Sequence, residues 1–141
     1  MLIPGTRNLI FIVSRMQQII TQLATIAVVM LVLDVTWLTA TAASSRQVIA
    51  KIQGKPLEIR WLGTAAVYVV MIVALWFFAV EPSKTWYEAA GRGAALGFAM
   101  YGVYDLTNYA TLKDYPLHFV ATDMAWGTYL FAVTAAAARL Y

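Results

Sequence analysis

The sequence predicts an all-α fold: an integral membrane four-helix bundle with short loops and an N-terminal amphipathic extension. Three observations carry this expectation. Of 141 residues, 62% are hydrophobic and only 12% charged, with a mean hydropathy of +0.70. A soluble domain this small has too high a surface-to-volume ratio to hide that much apolar side chain, so much of it must face lipid or partner subunits. The apolar residues also gather into four blocks, each long enough to cross a hydrocarbon core, which takes about 20 helical residues at ~1.5 Å each. Charged residues and Pro fall mostly between the blocks or at their ends.

Residues 1–18 form the extension. They carry Arg7 and Arg15, no acid, and apolar side chains at Leu2, Ile3, Leu9, Ile10, Ile12, Val13 and Met16. A targeting peptide could have this composition, but a clear cleavage site is missing and the segment runs straight into the first span, which favours an interfacial or docking extension of the first helix. Residues 19–141 make up the four-span domain. The first span covers about 19–43 and contains one acid, Asp34. After it, Ser44 to Gly54 reads as a short amphipathic interfacial helix, with a serine N-cap and a glycine stop before Pro56. The second span, 61–80, has no charged residue and stops at Glu81-Pro82. Thr85-Trp86-Tyr87-Glu88 has the spacing of a capping box and sets the start of the third span, about 86–112, which contains Asp105. The fourth, about 116–139, contains Asp123. The five Trp and eight Tyr are mostly near span ends, as an interfacial belt predicts. Lys and Arg are tied at five on each side, so charge does not orient the bundle in its membrane.

Several function classes are excluded or weakened at once. With no cysteine there is no disulfide scaffold, thiolate metal site or Cys nucleophile. The net charge of +3 is scattered between apolar blocks, which gives nucleic-acid binding little support and suits loops beside anionic headgroups. His118, the single histidine, would need carboxylates to complete a metal site, so no metal ligands are assigned. No Ser-His-Asp order, phosphate loop or HExxH is present, so an enzyme, with a cofactor that stays unknown, is the less favoured class.

The candidate site rests on the three intramembrane acids. Alternating span directions bring Asp34, Asp105 and Asp123 to one depth, roughly 10 to 12 Å inside the same face. Their surroundings form a weak internal repeat: Asp34-Val-Thr-Trp37, Asp105-Leu-Thr-Asn108 and Asp123-Met-Ala-Trp126. At i and i+3, each acid shares a helical face with its Trp or Asn, with Thr36, Tyr104, Thr107 and Thr128 as further hydrogen-bonding neighbours. A charged residue inside a span costs on the order of 2.5 to 3.5 kcal/mol at the centre, so it marks either a functional site or hydrogen-bonded glue between helices. If all three converge, at least one holds a proton or is neutralised by a cation. Gly93, Gly97 and Gly102, with Ala89, give the third helix a small-residue face suited to close packing, and Ala135 to Ala138 offer a matching surface on the fourth.

The run from Tyr104 through Asp105, Asn108 and Pro116 to Leu117, followed by Asp123-Met-Ala-Trp126-Gly-Thr128, resembles the C-terminal block of a small four-helix membrane protein family catalogued as domain of unknown function 2177. The likeness extends more loosely to Leu33-Asp34-Val-Thr-Trp37-Leu38 and to the order of helices over roughly Ile20 to Leu140. It implies the fold and marks these motifs as important, and it implies no reaction. The expected function is therefore that of an accessory or structural subunit of a membrane assembly with a buried polar Asp cluster. The alternative is a small membrane protein that binds or moves a cation, a proton or a polar lipid headgroup at that cluster. The expected partners are the lipid bilayer and either other membrane proteins or further copies of the chain, in a multi-pass membrane location. The apolar half of each span away from the acids weighs against a through-path for transport.

Overall fold

The structure is a computed structural model that describes residues 4–140, with side chains described for residues 8–140. Leu2, Ile3 and the side chain of Arg7, read above as part of the extension, lie outside the described residues. Four helices follow one another: α1 (Pro4–Gln53), α2 (Trp61–Leu75, continued by a π-helical turn, Trp76–Val80), α3 (Trp86–Thr111) and α4 (Leu117–Arg139). There is no strand among the described residues.

One difference from the sequence reading concerns the C-terminal part of α1, where a separate helix from Ser44 was expected. The extension, the first span and the segment from Ser44 to Gln53 form one uninterrupted helix. No Gly or Pro occurs between Thr6 and Gln53 to break it, and Ser44 acts as a residue within the helix, its hydroxyl donating to the Thr41 carbonyl at 3.1 Å. Gly54 ends α1 at φ +71, a left-handed conformation in which a Cβ is strained. The Gln53 amide then donates to the carbonyls of Lys55 and Pro56 at 3.1 and 3.2 Å, and this fixes the chain reversal.

Near its end α2 widens into the π turn, closed by the Glu81 N–H donating to the Trp76 carbonyl at 2.8 Å. Pro82 has no N–H to continue it. Thr85 caps α3, its hydroxyl accepting from the Glu88 N–H at 3.3 Å, while the Glu88 carboxylate reaches one residue past the reciprocal partner of a capping box and accepts from the Lys84 N–H at 2.7 Å. Between α3 and α4, Asp114 takes φ 62, which Asp tolerates better than most residues, and Pro116 caps α4.

Neighbouring helices are antiparallel. Arg15 of α1 pairs with Glu81 at the end of α2, and Gln22 accepts from the Trp76 indole N–H at 3.1 Å. α1 faces the bundle along a narrow stripe, Gln22, Ile26, Met30 and Asp34, repeating every fourth residue. α4 is the most enclosed helix and packs chiefly on α3. The seam is made by glycines: a Cβ on Gly93 would lie 2.5 Å from the Phe131 carbonyl oxygen, and one on Gly97 would collide with the Gly127 carbonyl. A Cβ on Gly127 would in turn collide with the Tyr101 ring. Gly102 is less constrained, facing only the mobile Cε end of Met124 at 3.1 Å. Ala135 and Ala138 are buried at the same seam, and Ala135 faces Gly93.

The core (Ile26, Met30, Leu75, Leu130, Phe131 and their neighbours) occupies the half of the bundle nearer the π turn. Outside it, large apolar side chains such as Val28, Val32, Val69, Val73, Phe77 and Phe98 are exposed around the bundle, the exterior of a membrane protein. Two helical stretches, Asn8–Gln53 and Trp61–Val80, are long and apolar enough to cross a membrane.

Candidate functional site

α2 meets α3 through its π turn, and toward the N-terminus of α2 the two diverge. A cleft of about 810 Å³ opens there, at the end of the bundle that holds the α1–α2 and α3–α4 loops. Asp34 and Asp123 line it, together with Trp37, Tyr68, Tyr101, Tyr104 and Tyr115. Further from the acids its walls are mainly apolar, with Leu38, Val48, Ile49, Leu57 and Phe119, interrupted by Thr41, Ser45 and Thr64. No Lys, Arg or His lines it.

The acids on α1 and α4 are joined crosswise. Asp34 is 7% exposed, and one of its oxygens accepts from the indole N–H of Trp126 on α4 at 3.1 Å. In return, Asp123 accepts from the indole N–H of Trp37 on α1 at 3.4 Å. The two indole rings stack between the acids, with centroids 4.7 Å apart and planes 6° from parallel. The i, i+3 spacing puts each acid and its own Trp on one helical face, and the antiparallel arrangement of α1 and α4 sets each acid opposite the other helix's Trp. The repeat seen in the sequence is thus a pair of interlocking halves. The Tyr68 hydroxyl of α2 completes Asp34 by donating to its second oxygen at 2.5 Å.

Asp105 takes a different partner. It is fully buried, and one oxygen accepts from the Tyr115 hydroxyl at 3.0 Å, while the other has no hydrogen-bond partner. Tyr115 sits in the α3–α4 turn and lines the cleft, so Asp105 adjoins the site through it. Burial first, then the bond to Asp105, pushes the Tyr115 phenol well above its ordinary range, so it stays protonated and remains a donor. Among the described residues no three His, Asp or Glu side chains come together in a way that could hold a metal ion.

The other residues singled out in the sequence fall as follows. Trp37 and Trp126 form the stack; Tyr104 is 60% exposed at the edge of the cleft; Asn108 adjoins Tyr115; Thr107 is exposed. Thr36 and Thr128 donate to carbonyls one turn back in their own helices, at 2.7 Å each, and give nothing to the acids. His118 is exposed and stands edge-on to Phe119. Sequence reasoning did not single out Tyr68, Tyr101 or Gln22, and it held Tyr115 and Gly127 only as members of the family motif, with no role of their own. For Asp105 the nearby tyrosines of its own helix, Tyr101, Tyr104 and Tyr109, were the available signal; α1 holds no tyrosine, so the pairing of Asp34 with Tyr68 depends on how α2 is rotated about its axis, and hydropathy does not fix that rotation.

The profile of a family described as "Predicted membrane protein (DUF2177)" matches residues 19–140. No curated protein and no solved structure matches the chain.

Proposed function

Because the chain belongs to the DUF2177 family of predicted membrane proteins, we propose that it spans the membrane four times and uses its cleft to hold the polar head of an amphipathic molecule beside Asp34 and Asp123. The observation that carries this reading is the cleft itself. Its volume of about 810 Å³ falls within the ~300–1,000 Å³ typical of small-molecule sites. It combines two carboxylates with hydrocarbon walls, as a molecule with one polar end requires. The apolar core closes the other half of the bundle, which favours one-sided binding over a through-path. The test uses a chain with Trp61, Trp76 and Trp86 replaced by Phe, so that Trp37 and Trp126 report alone. A bromoalkyl amphiphile should quench them saturably at one per chain, and Thr41→Trp, or Thr41→Phe as a non-fluorescent counterpart, should abolish saturation by filling the cleft. Quenching that never saturates, or that ignores the filled cleft, would overturn the reading.

A second reading, an accessory subunit of a membrane assembly, is favoured by one specific observation. Leu9, Ile10, Phe11, Ile12 and Val13 lie on turns of α1 that continue past the Arg15–Glu81 pair at the end of α2, and all are more than half exposed. A partner helix seated there would cover an apolar surface that this chain leaves bare. The two readings are compatible, since they use opposite ends of the bundle.

A further inference from the structure

The chemistry of the cleft lining narrows the ligand class, resting on the reading that the cleft holds an amphipathic molecule. We propose that the head of this molecule is an ammonium cation, best a methylated quaternary ammonium, carried on an alkyl chain, and that the cleft excludes heads bearing a phosphate or sulfate.

Charge is the first reason. Asp34 and Asp123 share one cleft with no basic side chain in its lining, and the two ion pairs among the described residues, Arg15–Glu81 and Lys51–Asp114, lie at the ends of the bundle. Two carboxylates in a low-dielectric site repel each other and attract any cation that reaches them, whereas an anion finds no cation to pair with.

The state of the donors is the second reason. The hydroxyl of Tyr68 and the indole N–H groups of Trp37 and Trp126 are committed to Asp34 and Asp123, and the hydroxyl of Tyr115 to Asp105. These groups therefore have little hydrogen-bond donation left for the oxygens of a phosphate, and the free hydroxyls of Tyr101 and Tyr104 in the lining are neutral donors with no basic side chain beside them to pair with its charge. What the lining still offers are the π faces of Tyr68, Tyr101, Tyr104, Tyr115 and Phe119, beside a Trp37 that is stacked on Trp126. Aromatic faces attract cations within about 6 Å of the ring centroid, and surrounding aromatic rings with a nearby negative charge suit a methylated ammonium that can neither donate nor accept strongly.

The walls are the third reason. From Asp34 the cleft extends past Leu38 to Val48 and Ile49 along α1, with Leu57 and Phe119 on other elements. That path runs roughly 20 Å at the helical rise, enough for an extended alkyl chain.

The test measures binding to the full-length chain in an uncharged polyoxyethylene detergent, with Trp61, Trp76 and Trp86 replaced by Phe as above, and reads each probe by its displacement of the quenching bromoalkyl amphiphile. The probes are dodecyltrimethylammonium, dodecylphosphocholine, dodecyl sulfate, dodecanol and tetramethylammonium. Dodecyltrimethylammonium is expected to bind one per chain, at least about tenfold tighter than dodecanol or tetramethylammonium, with dodecylphosphocholine no tighter than dodecanol and dodecyl sulfate not competing. Asp123→Asn, at the less buried acid, should bring the cationic probe down to the affinity of dodecanol while leaving dodecanol unchanged, which also shows that the variant is folded. If dodecanol or dodecyl sulfate matches the cation, the cationic head is wrong and the amphiphile site stands. If tetramethylammonium matches it, the ligand is a free cation and the alkyl chain is wrong. If no alkyl probe binds saturably, the cleft reading itself fails.

Discussion

Trp37 and Trp126 make matching contacts to unequally buried acids. Trp126 serves Asp34, which is nearly inaccessible, at 3.1 Å, and Trp37 serves the partly buried Asp123 at 3.4 Å. An acceptor left unpaired in a buried place costs about 1–3 kcal/mol, less where water or lipid headgroups can reach it. Trp126→Phe should therefore lower stability by about 1–3 kcal/mol and Trp37→Phe by less, measured by reversible unfolding in mixed micelles; the opposite order would refute this account. A similar argument applies at Asp105, where one oxygen already lacks a partner. Tyr115→Phe removes the other bond and should cost about 1–3 kcal/mol. Adding Asp105→Asn should recover part of that loss, because an unpaired amide is cheaper to bury than an unpaired carboxylate. No recovery in the double variant would mean that Asp105 is satisfied in some other way.

Among the helices, the α3–α4 seam gives the sharpest contrast. A methyl group on Gly97 would meet backbone atoms of α4, including the Gly127 carbonyl carbon at 2.9 Å, and backbone cannot swing aside. Gly97→Ala should therefore cost about 1–3 kcal/mol. Gly91, on the same helix with nothing within 4 Å, should tolerate Ala or gain up to about 1 kcal/mol from better helix propensity. Gly102→Ala should fall between them, because the flexible end of Met124 can move. Melting temperatures of the three variants in one detergent test the ranking, and equal values for Gly97→Ala and Gly91→Ala would remove the seam as a packing constraint. The sequence made Gly93 and Gly97 legible through their four-residue spacing. Gly127 was not legible, because its need for a missing Cβ comes from Tyr101 across the interface. The continuity of α1 was also hidden, since Ser44-Ser45 fits a helix start as readily as a helix interior until its neighbours are known.

At the scale of the whole molecule, α1 stands out for its length. Its 50 residues extend about 75 Å at 1.5 Å each, against about 30 Å of hydrocarbon. Matched to α2 by the Arg15–Glu81 pair, it projects past the bundle at its N-terminal end. Phe11→Lys with Ile12→Lys should leave the melting temperature unchanged, because neither side chain is covered by the bundle, while any co-purifying membrane partner is lost; a clear drop in melting temperature would show that these turns pack within the chain. In sealed vesicles, single cysteines at the exposed positions Gln53 and Lys113 should label from one side and a cysteine at Ser14 from the other. Labelling of Gln53 and Lys113 from opposite sides would overturn the four-span topology. Span boundaries, alternating directions and helical rise together were enough to bring the three acids to a common depth in the sequence reading. It could not say that two would interlock through tryptophans while Asp105 took Tyr115, because partners depend on the direction each side chain faces around its helix.

The interlocked tryptophans and acids read the same from either helix, like a palindrome. Asp34 and Trp37 present to α4 what Asp123 and Trp126 present to α1, so each half is complementary to a copy of itself running in the opposite direction. A self-complementary connector enforces register, since sliding one helix by a turn separates both donor–acceptor pairs and the stack together. It does not enforce identity. Wherever α4 is withdrawn, α1 of a second copy carries the same code, and what keeps the correct partner in place is the glycine seam that holds α4 against α3.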